Sequence, residues 1–109
     1  NMKRYKQKIQ ILVEDISVDE SRLYQEAAIL SEKKDITEEL VRLDSHLDLF
    51  ENYIDSSDNQ GKKLNFILQE MGREINTVGS KTDTIEISHM VVDMKDELEK
   101  IREQVQNIV

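Results

Sequence analysis

Two glutamates four residues apart, Glu70 and Glu74, stand on a segment whose apolar residues repeat at helical spacing. On a helix both carboxylates project from one side. That geometry can ligate a hard divalent cation or set one carboxylate as a general base. Arg73 falls one turn from Gln69 and Thr77, where a guanidinium can hold a phosphate or pair with a carboxylate. Gly61-Lys62-Lys63 opens the same segment and gathers backbone N–H groups and two cations at a positive helix end, which is the chemistry of a phosphate site. The competing readings are exposed ion pairs on a solvated face and solvated lysines at a loop–helix junction. His46 and His89 are the two imidazoles, and neither has a second His at zinc-ligand spacing. His46 flanks an apolar stripe, with Arg42 and Phe50 one turn to either side. It reads as a packed structural residue, or as a general acid–base or ligand in a site completed by the Glu70–Glu74 helix. His89 takes the structural reading. Phe66, Tyr24 and Tyr53 read as core or partly buried residues rather than base-stacking platforms.

The elements that must position these groups are helices. The chain of 109 residues has no Pro, no Cys, no Trp and three Gly, a composition that favours helix throughout and excludes a many-turned β domain or a disulfide scaffold. Five helices are expected. A first spans 2–15 on Tyr5, Ile9, Leu12 and Ile16. A second begins near Asp19 behind a Ser17–Glu20 capping box, carries Leu23, Ala27 and Leu30, and ends at Lys33-Lys34. A third, capped by Thr37, buries Leu40, Leu43, Leu47, Phe50 and Ile54. After a loop over 56–61, a fourth spans 62–77 with Leu64, Leu68, Met71, Ile75 and Val78 inward, and Gly79 supplies a left-handed C′ position. Beyond a connector over 80–84, the fifth carries Ile87, Val91, Met94, Leu98, Ile101, Val105 and Ile108, an unbroken heptad seam that needs a partner helix. The expected architecture is all-α, an antiparallel bundle of about five helices in one domain, ending in a long heptad-patterned helix.

Charge sets a constraint on partners. Lys and Arg number 15 against 23 Asp and Glu, a formal net charge of −8, which disfavours nonspecific binding of polyanions. The distribution is uneven. Residues 2–13 carry Lys3, Arg4, Lys6 and Lys8 and no acid, and 61–81 carries Lys62, Lys63, Arg73 and Lys81 against Glu70 and Glu74. No apolar run approaches the roughly 20 residues of a membrane span. With no cysteine, the expectation is a soluble cytoplasmic chain. Nucleotide-triphosphate and dinucleotide loops have no signal.

Specific strings then outweigh spacing. Gln25-Glu26, the run from Asp35 to Leu43 and Ser45-His46-Leu47 resemble one block of the YicC/YloC family. The run from Gly61 to Phe66, then Gln69-Glu70, Arg73 to Thr77, Gly79-Ser80-Lys81 and Arg102 to Asn107 resemble the rest of that family's C-terminal signature. Ser31-Glu32-Lys33-Lys34 and the terminal Val109 depart from the pattern, outside the 62–77 signature. The resemblance implies the C-terminal helical domain of a bacterial endoribonuclease, with a larger N-terminal domain absent from this chain. It implies a divalent metal (Mn or Mg), RNA as substrate and a homo-oligomer, hexameric in the complete protein. On it, His46, Glu70 and Glu74 are the candidates for catalysis and for metal ligation, with Gln69 and Glu103 as second choices. Lys62, Lys63, Arg73 and Lys81 are the candidates for RNA phosphate contacts. The competing function, from another class, is a non-catalytic helical module for oligomerisation or RNA binding.

Overall fold

The computed structural model describes residues 2–29, 33–55 and 61–107, and all of its regular structure is helical. There are four helices, not five: α1 (Met2–Ile29), α2 (Lys33–Ile54), α3 (Gly61–Lys81) and α4 (Ile85–Gln106). Each packs on two neighbours, α1 and α3 both lying between α2 and α4. Contacts such as Gln10 with Asp55 and His46 with Glu74 run in opposite chain directions, so the bundle is antiparallel. It forms a rod of 44 × 19 × 18 Å. At 1.5 Å per residue, the 28 residues of α1 account for its full length.

One pattern builds all four helices. Buried residues alternate at spacings of four and three: Ile9, Val13, Ile16, Glu20, Leu23 and Ala27 on α1; Ile36, Leu40, Leu43, Leu47, Phe50 and Ile54 on α2; Leu64, Leu68, Met71, Ile75 and Val78 on α3; Ile87, Val91, Met94, Leu98, Ile101 and Val105 on α4. This is the a/d repeat of helices that bury one seam, and here four seams meet in one core. The seam of the last helix therefore finds its partners within the chain.

The count of five fails at Glu20. Its charge beside Ser17 signals a helix start, but Glu20 is 4% exposed and fills a core position in the heptad row of α1, so the helix runs straight through. Tyr5 and Leu12 lie beside this row and are only partly buried. Lys33-Lys34 begin α2 instead of ending a helix, and Thr37 sits within α2, because Ile36 is fully buried and starts its row. Gly79 is likewise inside a helix. A Cβ there would lie 3.2 Å from Val91 Cγ1, so the close approach of α4, not a left-handed turn, calls for glycine. The connector shrinks to 82–84, where the Thr84 N–H donates to Thr82 Oγ1 at 3.1 Å. Of the expected loop over 56–61, Gly61 instead opens α3, and 56–60, together with Leu30 and Ile108, lie outside the described residues.

Candidate functional site

Antiparallel packing of α2 on α3 lines up residues whose numbers sum to about 120, and that register brings His46 to Glu74. His46 Nδ1 lies 2.9 Å from Glu74 Oε1. The Glu74 side chain is 6% exposed and that of His46 23%. A buried carboxylate facing Nδ1 favours the tautomer in which Nδ1–H donates to Glu74, leaving Nε2 as the basic atom. Two turns along the same seam, Lys81 Nζ donates to Glu39 Oε1 at 2.7 Å, and Arg42 Nη2 stands 3.7 Å from the same oxygen. The hydrogen bond from Lys81 holds the Glu39 carboxyl below its ordinary pKa, against the opposing effect of burial. Toward the other end, Lys63 Nζ sits over the Tyr53 ring, 5.2 Å from its centre. The α2/α3 seam is thus a line of complementary pairs.

The Glu70–Glu74 couple is divided by this packing. Glu74 turns into the seam toward His46, whereas Glu70 faces Arg73 at 3.8 Å nearer the surface, with the Arg73 side chain 76% exposed. Gln69 lines a groove of about 460 Å³ between α3 and α4, with Asn65, Gly72, Asn76, Arg102 and Gln106. Glu103 is not brought to His46: it borders a separate hollow between α1 and α4, beside Lys8, Ile11 and Gln104. Lys62 is exposed on α3, and Lys81 is engaged with Glu39. No group of three or more His, Asp or Glu among the described residues is arranged to hold a metal ion. The expected set of His46, Glu70 and Glu74 does not by itself fit a three-ligand cation site.

Glu39 escaped the sequence reading as a site residue, although it stands seven residues before His46, the spacing of one flank of a helix, and Arg42 entered it only as a neighbour of His46. Phe66 corrects it: the ring is 61% exposed, because it lies on the solvent crest of α3 and outside its heptad row.

A second polar region flanks α1. Glu20 hydrogen-bonds Asp44 of α2, and burial with the nearby charges of Asp44 and Asp48 pushes its carboxyl up to about 8. Glu97 of α4 hydrogen-bonds Asp19, and burial with Asp19, Asp15 and Asp93 raises it to about 8 as well. Oε2 of each glutamate is buried without a hydrogen-bond partner.

An all-α antiparallel bundle with a carboxylate–imidazole pair on one interhelical seam is the class that these features define. Residues 1–109 match the family model described as endoribonuclease YicC-like, C-terminal. The chain belongs to this YicC-like family. It is 50% identical over 109 aligned residues to a probable endoribonuclease YicC of Clostridioides difficile, covering 95% of this chain and 37% of that protein. It is 37% identical over 93 residues to a probable endoribonuclease YicC of Haemophilus influenzae, covering 85% of this chain and 32% of that one. The chain therefore spans about a third of the length of these relatives. Among the described residues no helix is long and apolar enough to cross a membrane.

Proposed function

We propose that this chain supplies the proton-transfer pair of an endoribonuclease that cleaves single-stranded or loop RNA within a homo-oligomer. The observation that carries the reading is the 2.9 Å contact between His46 Nδ1 and the buried Glu74 carboxylate. Glu74 fixes ring orientation and tautomer, and the half-buried imidazole presents Nε2 as a general base. Nε2 takes the proton of a ribose 2′-hydroxyl, whose oxygen attacks the adjacent phosphorus while the P–O5′ bond breaks and the departing 5′-oxygen takes a proton from water. The products are a 2′,3′-cyclic phosphate and a 5′-hydroxyl. Lys62, Lys63 and Arg73 hold the flanking phosphates, and Arg42, one turn from His46, is the nearest guanidinium on α2. Lys81 acts on Glu39, so its part in RNA contact is secondary. The divalent cation that the family resemblance implies finds no three-ligand group among the described residues, and no step is assigned to it.

The test is cleavage of an end-labelled hairpin RNA by the complete protein, with His46→Ala and Glu74→Gln alongside, in Mg²⁺ or Mn²⁺ and in EDTA. Loss of a proton-transfer base costs about 10²- to 10⁴-fold. His46→Ala should fall by that factor with the oligomer unchanged but with a lower melting temperature, because it strands the buried Glu74 carboxyl; His46→Gln, which keeps a donor for Glu74, should lose cleavage equally with the melting temperature nearly unchanged. A 3′-phosphate-free product with a 5′-phosphate would sink the 2′-hydroxyl route. Undiminished cleavage by His46→Ala would move the chemistry off this seam and leave the bundle as an assembly module.

A further inference from the structure

The solvent crest of α3 is chemically unlike the other exposed helix faces. Phe66 is the sole large apolar side chain exposed on α3, and its neighbours one turn away or on the same crest are Lys62, Gln69, Glu70 and Arg73. A protein-docking face gathers several apolar residues around such an anchor. An isolated ring with two cations and a carboxamide beside it, and a single carboxylate that lies 3.8 Å from Arg73, is instead an arrangement that can stack a nucleobase while its phosphates are held to either side. The charge agrees, since 61–81 has four cations against two carboxylates in a chain of net charge −8.

Beside this crest lies the α3/α4 groove, about 460 Å³, with Asn65, Gln69 and Asn76 on one wall and Lys95, Gln106 and the Arg102–Glu99 ion pair on the other. Carboxamides offer a donor and an acceptor on one planar group, which matches the edge of an unpaired base. Gly72 on the α3 side gives the groove its depth. A Cβ there would meet nothing nearer than Leu98 Cδ1 at 4.0 Å, so packing inside the chain does not call for glycine. Glycine in a helix interior is unfavourable relative to alanine. At Gly79 the fold explains the residue; at Gly72 it does not, and the open floor faces the amide-lined groove.

We propose that an unpaired stretch of RNA lies along α3, with one base stacked on Phe66 and a neighbouring base received in the groove over Gly72, a placement that rests on the reading of the chain as part of a ribonuclease. Arg73 and Lys62 hold the backbone between them. The site selects single-stranded over duplex RNA, because a paired base can neither reach the ring face nor present its edge to the groove.

The experiment is fluorescence anisotropy of the complete protein with a labelled unstructured RNA of about 12 nucleotides, a length within the usual range of such sites. A hairpin duplex is run in parallel, and the oligomer mass is followed by light scattering. Stacking of one base is worth about 5- to 150-fold in affinity. Phe66→Ala should lose at least the lower figure on the single strand, Phe66→Trp should keep the affinity, and Gly72→Leu should weaken it with no drop in melting temperature. Wild-type affinity in Phe66→Ala, with salt-dependent RNA binding intact, overturns the stacking site and leaves the ribonuclease reading standing. Affinity lost only together with a change in oligomer mass makes Phe66 a protein contact and overturns it too. Absence of RNA binding by the unmodified protein overturns the ribonuclease reading first, and this site with it.

Discussion

Along α1, the carboxyls raised by burial are acids meeting acids, Glu20 with Asp44 and Asp48, and Glu97 with Asp19 and Asp15, while Gln10 donates to Asp55 farther along. Along the α3 side of α2, every close pair joins complementary groups: His46 with Glu74, Lys81 and Arg42 with Glu39, and Lys63 with the Tyr53 ring. The same antiparallel geometry and the same heptad rows underlie both. What differs is how each seam disposes of its charge. The α1 seams keep protons on carboxyls that cannot all ionise in proximity, whereas on the α2/α3 seam the hydrogen bond from Lys81 holds the Glu39 carboxyl below its ordinary pKa. Chemistry on a substrate needs groups that are charged or basic and oriented, which is why the proposed site is the α2/α3 seam and not the acid pairs of α1.

The two seams must then respond oppositely to pH. Glu20 and Glu97 have folded-state values of about 8 against an ordinary 4.5, so the folded chain binds more protons than the unfolded one between those limits. Their contribution is most favourable below pH 4.5 and is lost as pH rises through about 8. Glu39 is depressed, so its contribution is present above its ordinary value and is lost as pH falls through the folded one.

The sharpest division is in cleavage, where His46→Ala should be lost by two orders of magnitude or more and Glu20→Leu should match wild type in the same assay. In stability the order reverses. Glu20→Leu completes the heptad row of α1 with an apolar residue and removes a buried acid. It should stabilise by about 2–3 kcal/mol at pH 8, on the order of 10 °C in Tm, and by much less at pH 5. Thermal melts at the two pH values read this directly, and a gain of equal size at both would mean packing alone. Lys81→Met leaves Glu39 only the longer contact with Arg42 and should destabilise by about 1–2 kcal/mol at pH 7, with the deficit closing toward pH 3 as the carboxyl protonates. A deficit that persists in acid would break the comparison. The finest contrast lies within α3: Gly72→Ala should gain about 0.5–1 kcal/mol, whereas Gly79→Ala should lose a similar amount to the crowding of Val91, both measurable by urea denaturation.

Most of the bundle was legible in the residues. The rows of α2, α3 and α4 follow directly from apolar spacing, and the seam of α4 is as expected from Ile87 to Val105. The misreadings share a cause. Glu20 and Gly79 carry strong local signals for a helix start and a helix stop, and tertiary packing overrides both: one is buried in a core row and the other lies against Val91. The site was half legible. His46 and Glu74 were each visible as chemistry, but their pairing spans 28 residues and depends on the register of two helices, which spacing within one helix does not reveal. Local spacing favoured Glu70 with Glu74, a couple that the helix then splits between surface and seam. Phe66 was misplaced because an aromatic beside an apolar run reads as core, and only the heptad frame shows it one step outside.

The retained protons on Glu20 and Glu97 alter the electrical identity of the molecule. A formal count treats every carboxyl as ionised and gives −8, but around neutral pH the folded chain stands nearly two units less negative. Folding near pH 7 must therefore draw protons from the buffer. The enthalpy of unfolding should vary with the buffer's own ionisation heat, and the native band should run more slowly toward the anode than its composition dictates. If the chain acts on RNA as proposed, this lowers the long-range repulsion between them without adding a cation to the sequence.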